Sequence, residues 1–266
     1  MARIKAAGFE DRMTLIEHLD ELRGRIIFAI GTVVVVAIVC FWQNDFLLDL
    51  ANGPLPDGRL ADPVTFSPTE PLITTLTVVL YAALLISFPI LTYQLYAYVL
   101  PAFTPSEKRT VLPLLLMVPF LFVGGVVFGY LLVMPAAIDF LLNFNQDNFN
   151  VQIRAREYYG FFALTLFGIG ILFQIPVAIL AATRLGVVTP GQLSANRRYA
   201  ILVIAVLAML LPGGDPITML ILMAPLILLY EFSIIMARTL GGDGEPAAEP
   251  AGESARGRED ESDPLG

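Results

Sequence analysis

Two glutamates stand where side chains could grip a cationic partner. Glu21 lies in Leu15 to Arg25, Leu-Ile-Glu-His-Leu-Asp-Glu-Leu-Arg-Gly-Arg, directly before the first long apolar run, and Glu107 opens the triplet Glu107-Lys108-Arg109 between two later runs. Paired carboxylates suit adjacent arginines, because each guanidinium takes a fork-like, charge-assisted bond. A glutamate among lysines and arginines is also an ordinary solvated salt-bridge partner that contributes little, and on residue type alone both readings stand. Catalysis has poorer material. The single histidine, His18, sits on the same stretch before the first apolar run, and the single cysteine, Cys40, excludes an internal disulfide or a cysteine-based metal site. A nucleophile with its base, or a metal cluster at membrane depth, is missing. No Gly-rich phosphate loop of Walker type appears, so the chain does not itself hydrolyse a nucleotide. The residues point to a binding protein rather than an enzyme, with no metal and no cofactor implied.

The element that positions Glu21 is a short amphipathic helix. Met13, Ile16, Leu19, Leu22 and Ile26 recur at three- and four-residue steps and form one apolar stripe, while Glu17, Asp20, Glu21, Arg23 and Arg25 take the other face. Thr14 and Glu17 have the spacing of a capping box. Glu21 and Arg25, at i,i+4, can pair along the surface.

Most of the chain beyond this helix is solvated by lipid. The chain has 266 residues, 56% hydrophobic and only 15% charged, with a mean hydropathy of +0.73, whereas soluble domains are about a quarter charged. Of the net charge of −8, the segment from Arg238 onward supplies −5, so acidity belongs to the tail and says nothing about a ligand. No cleavable signal peptide is visible, since the first apolar run begins late and lacks a small-x-small exit.

Uncharged runs cover Ile26 to Gln43, Pro71 to Ser106, Thr110 to Ile138, Tyr158 to Thr183, Tyr199 to Leu211 and Ile217 to Met236. The second exceeds one span and contains Pro89, predicting a tilted or kinked helix. Asp45 to Leu50 reads as a short interfacial helix. The fifth run, about 13 residues, makes only some 20 Å of helix against a core of roughly 30 Å. It returns through Pro212-Gly213-Gly214-Asp215-Pro216, so this hairpin thins the bilayer locally or sits recessed in it.

The predicted fold is an all-α polytopic membrane protein with six transmembrane helices, the fifth and sixth short. Residues 1–25 form an N-terminal segment with the amphipathic helix, 26–238 the membrane domain, and 239–266 a disordered acidic tail of Gly, Pro, Ala and acid. With the N-terminus cytoplasmic, thirteen Lys and Arg lie inside against Arg59, Arg154 and Arg156 outside, which satisfies the positive-inside rule and makes both termini cytoplasmic.

Polar groups inside the spans are few. Glu231 is the one carboxylate well within an apolar run, either snorkelling and pairing near the interface or functional. Gln174 is neutral but costly to expose to lipid, so it is expected to face a groove or another helix. A small secondary transporter is the alternative reading. It predicts repeated halves and a polar midplane site; no convincing repeat is seen, and Gln174 alone is a meagre site.

Several spaced motifs, taken together, resemble the TatC family, the polytopic core of the twin-arginine protein translocase. They are His18-Leu19-x-Glu21-Leu22-Arg23-x-Arg25; Ser67-Pro68-x-Glu70-Pro71; Gln94-x-x-x-Tyr98-x-x-Pro101-x-Phe103-x-x-x-Glu107-Lys108-Arg109; Phe128-Gly129-Tyr130 with Pro135; Pro176-Val177-Ala178; and Asp215. The resemblance runs from Leu15 to about Arg238. It implies that Glu21 and Glu107 contact the twin arginines of a signal peptide at the cytoplasmic surface, with Arg23 and Tyr98 shaping that patch and Arg109 assisting. Pro54, Tyr130 and Asp215 match positions to which the family is sensitive, on the periplasmic side, and Glu231 matches a recurrent family glutamate. Met209 and Leu210 resemble a docking edge for single-span partners of the TatA and TatB type. Gln174 stands where the family often has glutamate; Tyr98 and Leu72 stand where phenylalanine is common. The resemblance implies a signal-peptide receptor and scaffold in the cytoplasmic membrane, in contact with lipid, exporting folded cargo with the proton-motive force.

Overall fold

The computed structural model describes residues 15–55, 63–99, 105–145, 147–148, 152–184, 187–211 and 215–240, with the side chains at 15–18, 99, 105–115 and 240 left outside the description. Thr14 with its capping box, residues 212–214 of the last turn and the acidic tail beyond Leu240 therefore lie outside the described residues.

The described chain is all-α. The helices in order are α1 (Leu15–Trp42), α2 (Asn44–Asn52), α3 (Glu70–Val99), α4 (Pro105–Phe128), a π-helical turn (Gly129–Val133), α5 (Met134–Asn143), α6 (Ala155–Leu172), α7 (Ile175–Arg184), α8 (Pro190–Ala195), α9 (Arg197–Met209) and α10 (Pro216–Leu240). The amphipathic stretch around Glu21 and the first apolar run are one continuous helix. Five stretches have the length and apolar character to cross a membrane: Leu19–Trp42, Glu70–Tyr98, Leu116–Asn143, Ala155–Arg184 and Pro216–Thr239. The protein is thus a multi-pass membrane protein.

Proline explains two irregularities. Pro135 lacks an N–H and its ring crowds the carbonyl four residues back, and an extra residue enters the ladder as the π turn Gly129–Val133. Pro176 does the same to the fourth run. α6 stops at Leu172, Gln174 N–H bonds Ile171 O at 2.9 Å in a tightened turn, and α7 restarts at Ile175. Pro89, by contrast, is carried inside α3.

Two expectations are corrected. The helix does not stop where the third uncharged run ends at Ile138: α5 continues to Asn143, whose Nδ2 donates to Asp139 Oδ1 at 2.7 Å and keeps that charge on the helix. The sixth helix is not short. α10 has 25 residues, since Pro216 fits the first helical position and the helix continues past Met236 through Arg238. The fifth helix is short as expected, with 13 residues in α9.

Two apolar clusters hold the bundle. One joins Val133, Ile169, Leu172, Phe173, Ile204, Ala208, Leu222 and Leu226, from the π turn, α6, α9 and α10. The other joins Ala51, Val78, Met134, Ile138, Tyr158 and Phe162, from α2, α3, α5 and α6. Glycine lets α4 and α6 approach closely: a Cβ on Gly170 would lie 2.7 Å from the ring of Phe122, and one on Gly125 would lie 2.7 Å from that of Phe173.

Candidate functional site

At one end of the bundle α1 begins and α3 ends. Arg25 joins them. Its Nε donates to Glu21 Oε1 at 2.9 Å, its Nη2 pairs with the same oxygen and donates to Ala97 O at 3.0 Å, and its Nη1 donates to Gln94 Oε1 at 3.3 Å. Ala97 lies in the last turn of α3, where carbonyls lack intrahelical partners, and a cation is favoured there by the helix dipole. The expected i,i+4 pair is present, and it also spans two helices. Glu21 Oε2 is shielded from solvent and has no hydrogen-bond partner among the described residues. Arg23 is exposed and Tyr98 half-buried at the same end.

α4 starts a few residues after α3 ends, so its first turn, which carries Glu107 and Arg109, belongs to this end as well. The side chains of Glu107 and Arg109 lie outside the described residues. The two carboxylate positions therefore share one end of the bundle, on α1 and α4, with the end of α3 beside them.

The far side of that end is fastened by another set. Glu231, on α10, receives Arg197 Nη2 from α9 at 2.8 Å. Arg238 bonds Ser194 Oγ, and Tyr230 Oη donates to Leu193 O at 2.9 Å. Glu231 and Arg238, seven residues apart on one face, hold the α8–α9 corner against α10. This pairing near the helix end is one of the two readings open for Glu231. α8 itself is closed by a capping box of Thr189 and Gln192.

At the opposite end, three tyrosines seize the last turn of α2. Tyr130 Oη donates to Leu50 O at 3.1 Å, Tyr158 Oη to Ala51 O at 2.5 Å, and Tyr159 Oη to Asn52 Oδ1 at 2.9 Å. The Tyr158 bond satisfies a carbonyl that the helix end leaves orphaned, and the Tyr130 bond adds to the one that Leu50 O takes from Gly53 N–H at 3.3 Å. Pro54 follows Gly53 directly and is half-buried, so Pro54 and Tyr130 belong to one locked corner.

Beside it lies an ion pair that residue types alone did not single out. Arg154 Nε and Nη2 reach the two oxygens of Glu70 at 2.8 and 3.3 Å, and Phe66 N–H donates to Glu70 Oε2 at 3.0 Å. The guanidinium also lies 5.7 Å from the centre of the Phe66 ring. The side chain of Glu70 is only 2% exposed, and its bonds hold the Arg154 guanidinium above its ordinary pKa. Backbone bonds of 2.9 Å from Val64 N to Ile153 O and from Ala155 N to Val64 O brace the pair. Glu70 stands in the motif Ser67-Pro68-x-Glu70-Pro71, but Arg154 lies 84 residues further on, and no spacing in the sequence links the two.

Asp215 caps α10: its Oδ1 accepts from Thr218 N at 2.8 Å, and the side chain is buried. Gln174 stands at the α6–α7 break, half-buried, with Nε2 donating to Gly170 O at 3.3 Å and Oε1 without a partner among the described residues. Met209 and Leu210, at the end of α9, are 64% and 75% exposed among the described residues. Leu211 next to them packs on Gly168, where a Cβ would collide with its Cδ2. Gly168 is about 20 Å along the helix from Ala155, so the α9–α10 connection meets α6 well short of its first residue. Among the described residues no group of three or more His, Cys, Asp or Glu is arranged to hold a metal.

Residues 17–225 match the profile of the family described as the Sec-independent protein translocase protein TatC. The chain is 35% identical over 231 residues to the TatC protein of Koribacter versatilis, covering 85% of each chain. It is 33% identical to that of Carboxydothermus hydrogenoformans, covering 86% of this chain and 95% of the relative. A crystal structure described as the twin-arginine translocase receptor TatC superposes with a TM-score of 0.70 at 32% identity, over 84% of this chain and 99% of that one.

Proposed function

This chain belongs to the TatC family and is a non-enzymatic component of the Sec-independent protein translocase, and from that premise we propose that it is the site at which twin-arginine signal peptides are received. Glu21 takes one arginine and Glu107 the other, with Arg23, Tyr98 and Arg109 bounding the patch. The observation that carries this reading is the Glu21 carboxylate, fixed between α1 and the end of α3, with one oxygen unpartnered among the described residues at the end of the bundle where α4 begins.

The remaining assignments share the same axis. The N- and C-termini and the Glu21 end face the cytoplasm, the tyrosine-locked corner with Pro54 and Tyr130 faces the opposite side, and the protein resides in the cytoplasmic membrane. α9 is the fifth of six crossings, made where the bilayer is thinned beside the recessed α9–α10 connection. Met209 and Leu210 there offer an apolar edge to single-span helices of the TatA and TatB type. Gln174 and Asp215 line the polar depth of that region. Folded cargo passes with energy from the proton-motive force acting on the assembly. Residues 1–25, 26–238 and 239–266 act as receptor arm, membrane scaffold and solvated tail.

The test is binding of a signal peptide carrying Arg-Arg, against one carrying Lys-Lys, to the wild-type chain and to Glu21→Ala and Glu107→Ala. Each substitution is expected to weaken the Arg-Arg peptide by about tenfold or more, the worth of one charge-assisted hydrogen bond, while the Lys-Lys peptide binds weakly throughout. Equal binding in every combination would remove the assigned role of both residues.

A further inference from the structure

We infer that Arg25 is a positioning residue of the receptor site, holding Glu21 so that a single carboxylate oxygen, Oε2, is presented to the incoming arginine. This rests on the reading of Glu21 as a signal-peptide contact. A free Arg–carboxylate pair ordinarily lays its fork across both oxygens. Here both N–H groups of Arg25 that reach the carboxylate converge on Oε1. The reason lies on α3. Gln94 Oε1 and Ala97 O accept from Nη1 and Nη2 at 3.3 and 3.0 Å, and these in-plane bonds hold the fork off Oε2.

Oε2 is then left as an acceptor shielded from solvent without a donor among the described residues. An unmet acceptor of this kind is costly where it stands and strengthens any bond that satisfies it. The side chains of Glu21 and Arg25 are each about a quarter exposed, at 23% and 24%, so a ligand reaches the pair from outside and gains Oε2 by displacing what shields that oxygen. Arg25 has bonds to three groups, two of them on another helix. An external guanidinium therefore adds at Oε2 and leaves Arg25 where it is. The same tether couples the position of Glu21 on α1 to the last turn of α3, from which the chain passes to Glu107.

The test measures binding of Arg-Arg and Lys-Lys signal peptides to the purified full chain and to Glu21→Gln, Arg25→Gln, Gln94→Ala and the double Glu21→Gln/Arg25→Gln variant. Arg25→Gln is expected to weaken the Arg-Arg peptide about tenfold and to bring the Arg-Arg to Lys-Lys preference down to that of Glu21→Gln. In the Glu21→Gln background it is expected to cost less than about twofold, as coupled residues do. Gln94→Ala leaves both charges in place and removes one tether, for an expected loss of about threefold. It decides the matter alone if Arg25→Gln does not fold. The inference is overturned if Arg25→Gln binds as well as or better than wild type, if both peptides weaken equally, or if its loss persists without Glu21. If Glu21→Gln itself leaves Arg-Arg binding unchanged, the receptor role of Glu21 fails, and this inference fails with it.

Discussion

The locked corner at the end of α2 allows a sharp test, because one glycine there is needed for a side chain and not for its backbone. Gly53 has φ −52° and ψ −36°, an ordinary helical conformation, so alanine fits its backbone. On that ground alone Gly53→Ala would stabilise by about 0.4–1 kcal/mol, through the narrower unfolded ensemble. A Cβ at Gly53, however, falls 2.5 Å from Tyr130 Oη, against 3.3 Å from Leu50 O and 3.6 Å from Tyr130 Cζ. The hydroxyl has to leave. Its bond to Leu50 O is lost, at a net cost of about 0.5–1.5 kcal/mol. The ring also shifts from its perpendicular contact with Phe162, now at 6.2 Å between centroids, an arrangement worth about 0.5–1.5 kcal/mol.

In wild type these losses outweigh the entropic gain, and Gly53→Ala destabilises by about 0.5–2 kcal/mol. In a Tyr130→Phe background the colliding atom is absent and the hydrogen bond is already gone, so the same substitution becomes neutral to stabilising. The cycle of the two single variants and the double is measured by thermal unfolding in detergent. There each kcal/mol corresponds to about 2–4 °C for a chain of this size. Equal cost of Gly53→Ala in both backgrounds would refute the argument and place the need for glycine in the backbone.

Two further outcomes are expected from the geometry. Arg154→Gln leaves the Glu70 carboxylate buried without its cation, so it is expected to lower the unfolding temperature more than the paired Glu70→Gln/Arg154→Gln change, which removes both charges; a double variant less stable than the single would contradict this. With Cys40 replaced by alanine, cysteines at Gly168 and Leu211 are expected to cross-link on mild oxidation, whereas cysteines at Gly160 and Leu211, about 12 Å farther along α6, are expected not to; the reverse pattern would place the α9–α10 connection at the outer end of α6 and end the idea that it is recessed.

How far the sequence was legible depended on the range of the interaction. Helices written by composition were readable: the apolar runs, the short α9, the short helix α2 and the pairing of Glu21 with Arg25 at i,i+4. Breaks inside an apolar run were not. Pro89 and Pro176 look alike in the sequence, yet α3 absorbs the first and the fourth run splits at Gln174 before the second. Neighbouring helices decide whether the missing hydrogen bond can be tolerated. The length of α10 was hidden for a related reason: Arg238 ends the hydropathy run but is a favourable last-turn residue for the helix, bonded to Ser194.

Contacts between distant residues were the least legible, and they build the site. Spacing along α1 places Arg25 beside Glu21, but nothing in that spacing says that Gln94 and Ala97, 69 and 72 residues away, take the rest of the guanidinium. Without α3, Arg25 would be one more surface salt bridge of little worth, able to swing its fork over both carboxylate oxygens. With α3 it is fixed, and the fixation leaves Glu21 with an acceptor to offer. The same logic holds at the other end, where Tyr158 and Tyr159 read as aromatic residues of a span, and Tyr130 only as a motif position, until the end of α2 is brought against them. In both places a local pattern supplies the chemical group, and packing against a distant helix end, with its unpaired carbonyls, determines what that group is free to do.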